Sequence, residues 1–131
     1  MRAKAIATLQ KLARLRAADD SGYCRCVSCG KSFHWKDGDG GHFIPKGHSS
    51  YWALRIENVN PQCKKCNGFD MKYGTAAQQY TKWMIDKYGR EWVDMMEEKK
   101  KKVWKLYASD YREMIEKWAL EIKQHLERIG E

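Results

Sequence analysis

The chain has 131 residues, 43% apolar and 32% charged, with a net charge of +8, which suits one domain and is short for two. No run of 18 apolar residues is present, excluding a membrane span, and six Trp, seven Tyr and three Phe exclude a chain too poor in aromatics to fold. The surplus of Lys and Arg points to a polyanionic partner, because bases that neutralise phosphates displace condensed counterions.

Residues 3–17 read as a helix, since Ile6, Leu9, Leu12, Ala13 and Leu15 recur near a 3.6-residue period. Basic residues at this end have no continuous apolar run behind them, so a secretory signal is not expected and a cytoplasmic protein is. Asp19-Asp20-Ser21-Gly22 breaks the helix. From 22 to 74 the character changes: eight of the ten glycines, both prolines and all five cysteines fall here, a composition for short strands and turns held by a metal. Beyond Gly74, Thr75 is a plausible N-cap for a helix ending at Gly89. A second apolar stripe runs from Trp92 to Ile129 as one helix or two, with a break near Ser109, where Asp110 and Glu113 resemble a capping box. The run Lys99–Lys102 reads as a solvated helix face. The organisation is thus a single domain: an N-terminal helix (1–20), a cysteine-rich core (22–74) and a helical extension (75–131). Net charge over residues 1–22, 23–89 and 90–131 is +3, +5 and zero, so a phosphate backbone is expected against the first two segments.

Cys26-Val-Ser-Cys29 and Cys63-Lys-Lys-Cys66 are two C-x2-C pairs separated by 33 residues. Each turn curls two sulfurs inward, and two pairs complete a closed tetrahedral zinc site. In a reducing compartment such spacing points to metal rather than disulfides. Cys24 is left over, either a packed thiol or a competitor of Cys26. A four-thiolate zinc has no open position, so it stabilises the fold and leaves any chemistry to residues between the knuckles or just after them.

Those residues are His42-Phe43-Ile44-Pro45, Asn58, and Asn67 directly after the second pair. On them the sequence resembles the HNH nucleases, the zinc-stabilised branch of the ββα-metal fold. The resemblance implies an α+β fold, with a small zinc-stapled ββα-metal core flanked by the N-terminal helix and a C-terminal helical tail. It makes His42 the general base that takes a proton from water, Asn58 the residue that pins the loop, and Asn67 a ligand of a catalytic Mg2+ or Mn2+. One departure stands out. HNH enzymes commonly carry Asp, Glu or His just before the base, as a second metal ligand, and here that position is Gly41. The second ligand is assigned to Asp39, the nearest carboxylate; Asp70, three residues after Asn67, is the other candidate.

A narrower resemblance lies in Gly41-His42-Phe43-Ile44, Leu54-Arg55, Asn58-Val59-Asn60-Pro61-Gln62-Cys63 and Cys66-Asn67, with Tyr80, Trp83, Tyr88-Gly89 and Val93 downstream. Together they are similar to the NinG, or Rap, family of phage recombination proteins. That implies a structure-specific endonuclease of branched DNA, such as Holliday junctions and D-loops, working in a bacterial host cell. Lys46, Arg55, Lys64, Lys65 and Lys72 surround the expected site and suit phosphate contacts. Symmetric cutting of a junction needs two active sites, and the stretch from Trp92 to Ile129 could form a homodimer interface or pack on its own chain. The competing reading is a non-catalytic zinc-ribbon module that binds nucleic acid.

Overall fold

A computed structural model describes residues 1–131 as a mixed α+β fold in which two small antiparallel sheets are held among helices. In chain order these are α1 (Arg2–Ala17), β1 (Tyr23–Arg25), β2 (Ser32–His34), β3 (Asp39–His42), β4 (Val59–Gln62), α2 (Lys64–Asn67), α3 (Phe69–Tyr73), α4 (Ala76–Tyr88), α5 (Arg90–Glu98) and α6 (Ala108–Ile129). β1 pairs with β2, and β3 pairs with β4 in the register Asp39↔Gln62 to His42↔Val59. No helix is long and apolar enough to cross a membrane.

α1 is central. Ala5, Ile6, Leu9, Leu12, Ala13 and Leu15 are all buried, a wider apolar face than a surface helix needs, because α1 packs on β3 and β4 and also against α6. From α6, Trp118, Ile122, Leu126 and Ile129 join Leu12, Leu15, Phe33 and Trp35 in one cluster, and Tyr111, Met114 and Ile115 pack near Ala5 and Ile6. The apolar stripe of the C-terminal helix is therefore spent largely on its own chain. On the other side of the molecule, Tyr80 and Met84 of α4 and Val93 and Met96 of α5 bury against Phe43, Ile44 and Trp52.

Three local expectations change. Thr75 occupies the N-cap position of α4 but makes no capping bond with its side chain. The break in the tail comes at residues 99–107 rather than near Ser109, and Asp110 accepts from the Tyr107 backbone N–H at 2.8 Å, so the cap begins three residues earlier than the Asp110–Glu113 pattern implied. Lys99–Lys102 does not form a helix face. Its carbonyls are used instead: Trp52 Nε1 donates to Lys99 O at 2.9 Å, Tyr51 N donates to Lys102 O at 3.3 Å, and Lys102 Nζ stands 4.0 Å from the centre of the Tyr51 ring. A helix continued through this run would have bonded those carbonyls internally.

Candidate functional site

The turn between β1 and β2 carries Cys26 and Cys29, and the start of α2 carries Cys63 and Cys66. Gly30, at φ +78°, lets the first turn close, with its N–H donating to Cys26 O at 2.9 Å. Val27 N donates to Pro61 O at 2.9 Å, which ties this turn to β4. The four Sγ atoms lie within 4.8 Å of one another, and Cys29 Sγ is 3.8 Å from Cys63 Sγ. A tetrahedral zinc with Zn–S bonds of about 2.3 Å needs S···S edges of about 3.8 Å. The four cysteines could thus hold a structural metal such as zinc. Cys24 lies apart from them, buried, with Sγ donating to Phe33 O at 3.7 Å. Burial pushes its thiol up to about 11, so it is a packed thiol rather than a fifth ligand.

His42 ends β3 and is buried. Its Nε2 lies 3.0 Å from Ala53 O. A carbonyl only accepts, so Nε2 carries the proton and Nδ1 is left with its lone pair. Desolvation lowers the imidazole below its ordinary value, the Ala53 bond opposes this, and the charges of Lys46 and Arg2 add to the lowering. The ring is therefore neutral at pH 7. Asn58 is fully buried beneath it: its Oδ1 accepts from Ile44 N at 2.7 Å, and its Nδ2 donates to Ile44 O and Trp52 O at 2.9 and 3.0 Å. These bonds fasten the segment after His42 to the segment that holds Ala53.

Asp39 and Asn67 form a second group. Asn67 Nδ2 donates to Asp39 Oδ2 at 3.2 Å, and Lys64 Nζ pairs with Asp39 Oδ1 at 3.1 Å. A Cβ built on Gly40 would strike Gln10 of α1, whereas one built on Gly41 would approach Gln62 Oε1 and Asn67 Oδ1. Alternation along β3 thus puts Asp39 and Gly41 toward α2 and sends Gly40 and His42 the other way. No hydrogen bond joins the two groups directly. Asp70 belongs to neither: Gly68 separates α2 from α3, and Asp70 turns to Lys65 at 3.8 Å.

A family model described as Bacteriophage Lambda NinG protein matches residues 3–128. The chain belongs to the NinG family. No curated protein and no solved structure matches it. Membership extends through α1 and α6, beyond the cysteine-rich core that carries the motif resemblance, and it points to a role connected with phage recombination.

Around this NinG-family core the basic residues differ in availability. Lys46, Lys64, Lys65 and Lys72 are exposed. Arg55 pairs with Glu57 at 3.2 Å and stacks 5.2 Å over Tyr51, so its charge is partly used. Three residues quoted for the family resemblance, with no role assigned to them there, take one from the structure. Tyr80 is fully buried, donating from its OH to Gly41 O at 2.8 Å while Asn60 Nδ2 donates to that OH at 3.1 Å. Gln62, directly before Cys63, is fully buried as well. A Tyr on an apolar helical stripe reads as core, and an Asn or Gln beside a proline reads as turn; only the paired strand shows that all three face the backbone of Gly41.

Proposed function

We propose that the chain is a divalent-metal-dependent endonuclease of the HNH type that acts on branched DNA. The observation that carries this reading is the state of His42: buried, neutral, its Nε2–H committed to Ala53 O and its Nδ1 free to accept a proton. That is the tautomer and charge a general base needs at neutral pH. The succession β3–β4–α2, with Cys63 at the junction of β4 and α2, is the order of elements the ββα-metal resemblance implies. Asp39, with the amide oxygen of Asn67, offers the hard oxygen donors that suit Mg2+ or Mn2+.

In the reaction, His42 Nδ1 takes a proton from water as the water oxygen bonds to phosphorus. The opposite P–O bond breaks, and the leaving oxygen acquires a proton from solvent. Asp39 and Asn67, which lie across β3 from His42, would hold a divalent cation whose positive charge would offset that of the phosphate bound between the two groups. Asn58 positions His42 by holding its loop, and Lys46, Lys64, Lys65 and Lys72 hold the backbone on either side.

A non-catalytic binding module is the second reading, favoured by the four-cysteine cluster, which accounts for folding without chemistry. Labelled four-way junction, linear duplex and single-stranded DNA, incubated with wild type or His42→Ala in Mg2+, Mn2+ or EDTA, separate the two. The nuclease reading expects preferential junction cutting that EDTA abolishes and that His42→Ala abolishes while binding persists. Equal cutting of all three substrates removes the junction preference; binding without cutting in any metal leaves the binding module.

A further inference from the structure

An acceptor without a donor lies beside the Asp39–Asn67 pair. Gln62 is fully buried, and a relay fixes its amide: Ser28 Oγ donates to Ala76 O at 2.8 Å and so accepts from Gln62 Nε2 at 2.9 Å. The other prong, Oε1, is buried with no hydrogen-bond partner. It lies 1.8 Å from the point a Cβ of residue 41 would take, and Asn67 Oδ1 lies 2.9 Å from the same point. Asn67 is oriented too, because its Nδ2 is given to Asp39. The two amide oxygens thus lie close together in the space over Gly41, next to a carboxylate, and the Gln62 oxygen has no donor. Facing carbonyl dipoles repel, and a buried acceptor left unpaired keeps its full desolvation penalty. A cation in that space relieves both.

The geometry points to Gln62 Oε1 and Asn67 Oδ1 as joint oxygen ligands of a divalent cation, with Asp39 supplying the neighbouring negative charge. Gln62 thereby takes the part that a side chain before the base plays in other HNH enzymes, and Gly41 is bare because any Cβ there would stand where the Gln62 oxygen is. Lys64 holds Asp39 only through an exposed surface pair, which is weak enough to yield to a divalent ion. The inference rests on the nuclease reading only in taking the Asp39–Asn67 pair as a cation site.

The test is Mn2+ binding to the zinc-loaded full chain, read by the electron paramagnetic resonance of the free ion and by calorimetry, with no DNA present. Gln62→Met keeps the side-chain volume and removes the oxygen; it should weaken Mn2+ binding tenfold or more while zinc content and circular dichroism stay as in wild type. Gln62→Glu keeps an oxygen and adds charge; it should bind Mn2+ more tightly. Unchanged affinity in a folded Gln62→Met assigns the space to water and overturns the role of Gln62, with the nuclease reading intact. Should Gln62→Met not fold, Gln62→Glu decides: affinity no tighter than wild type overturns the proposal. If wild type itself binds no Mn2+, the Asp39–Asn67 cation site fails together with the Gln62 role.

Discussion

At the scale of single residues, the protonation of His42 sets a pH dependence that can be signed. Its native pKa is depressed, chiefly by burial, with Lys46 and Arg2 adding to the effect. Between that value and the ordinary histidine value of about 6.5, the unfolded chain binds more protons than the folded one, so stability rises with pH across this window and falls as pH drops through it. For a general base the same shift moves the acid limb of kcat/KM downward, with an apparent pKa below about 6.5. A pH–rate profile on junction DNA checks this, and a midpoint above 7 would contradict a base held neutral by burial. The neighbouring glycine gives a second prediction. Gly41→Asp, which introduces the carboxylate common in HNH enzymes, puts its Cβ onto Gln62 Oε1 and within 2.9 Å of Asn67 Oδ1. It is expected to lower stability by about 1–3 kcal/mol through overpacking, read as a lower urea midpoint, without raising activity. The cysteine cluster was legible from its two C-x2-C pairs, whereas His42, Asn58 and Asn67 were singled out only through the family resemblance. Gln62 stood in the family motif without a role, because nothing about an amide one residue before a cysteine assigns one until β3 and β4 pair and set it opposite Asp39.

Among the elements, α1 and the four-cysteine turn could be read in advance, and the tail only in outline. Periodicity identifies a helix when its partner is regular, as for α1; it failed at 99–107, where the carbonyls of a lysine run bond to Trp52 and Tyr51 in the 49–52 segment. Such long-range bonds leave no local trace in the sequence. The segment between His42 and Ala53 is likewise held by distant contacts, and Asn58 is its chief fastening. Asn58→Ala strands Ile44 N and Ile44 O and leaves Trp52 O only its bond from Arg55 N, and at about 1–3 kcal/mol for each buried group left unpaired the loss should reach about 2 kcal/mol or more in denaturant unfolding. Loss of less than about 1 kcal/mol would mean water reaches those groups and the loop is not pinned. Removing a metal held by the four cysteines would act on a different element. The first turn is joined to α2 through the cysteines and to β4 through Val27 N, so a strong zinc chelator should release the β1–β2 hairpin and α2 from the core. A matching fall in thermal midpoint and loss of chelator-accessible zinc in one-to-one proportion would check it.

For the molecule as a whole, the question is where its charge meets a polyanion. The segment 90–131 is neutral in sum, and its stripe packs on α1, so the lysine run at 99–102, though conspicuous, lies in a part with no net attraction. The positive surplus falls instead on α1 and the core, where Lys46, Lys65 and Lys72 are exposed close in sequence to the candidate site. Each lysine that neutralises a phosphate steepens the plot of log affinity against log salt by about 0.9 on duplex DNA. Lys65→Ala and Lys72→Ala should therefore each flatten that slope by about one and weaken binding alike on junction and duplex, because phosphate contacts carry no information about shape or sequence. Changing Lys99, Lys100 and Lys101 together to Ala alters the net charge by more than either single change, yet should leave the slope nearly unaltered. Fluorescence anisotropy over a salt series distinguishes the two. If the triple change flattens the slope more than Lys65→Ala does, binding follows local lysine density rather than the placement of the core. The DNA path would then have to be drawn along the turn after α5, which packs on Tyr51 and Trp52 beside Ala53, the partner of His42.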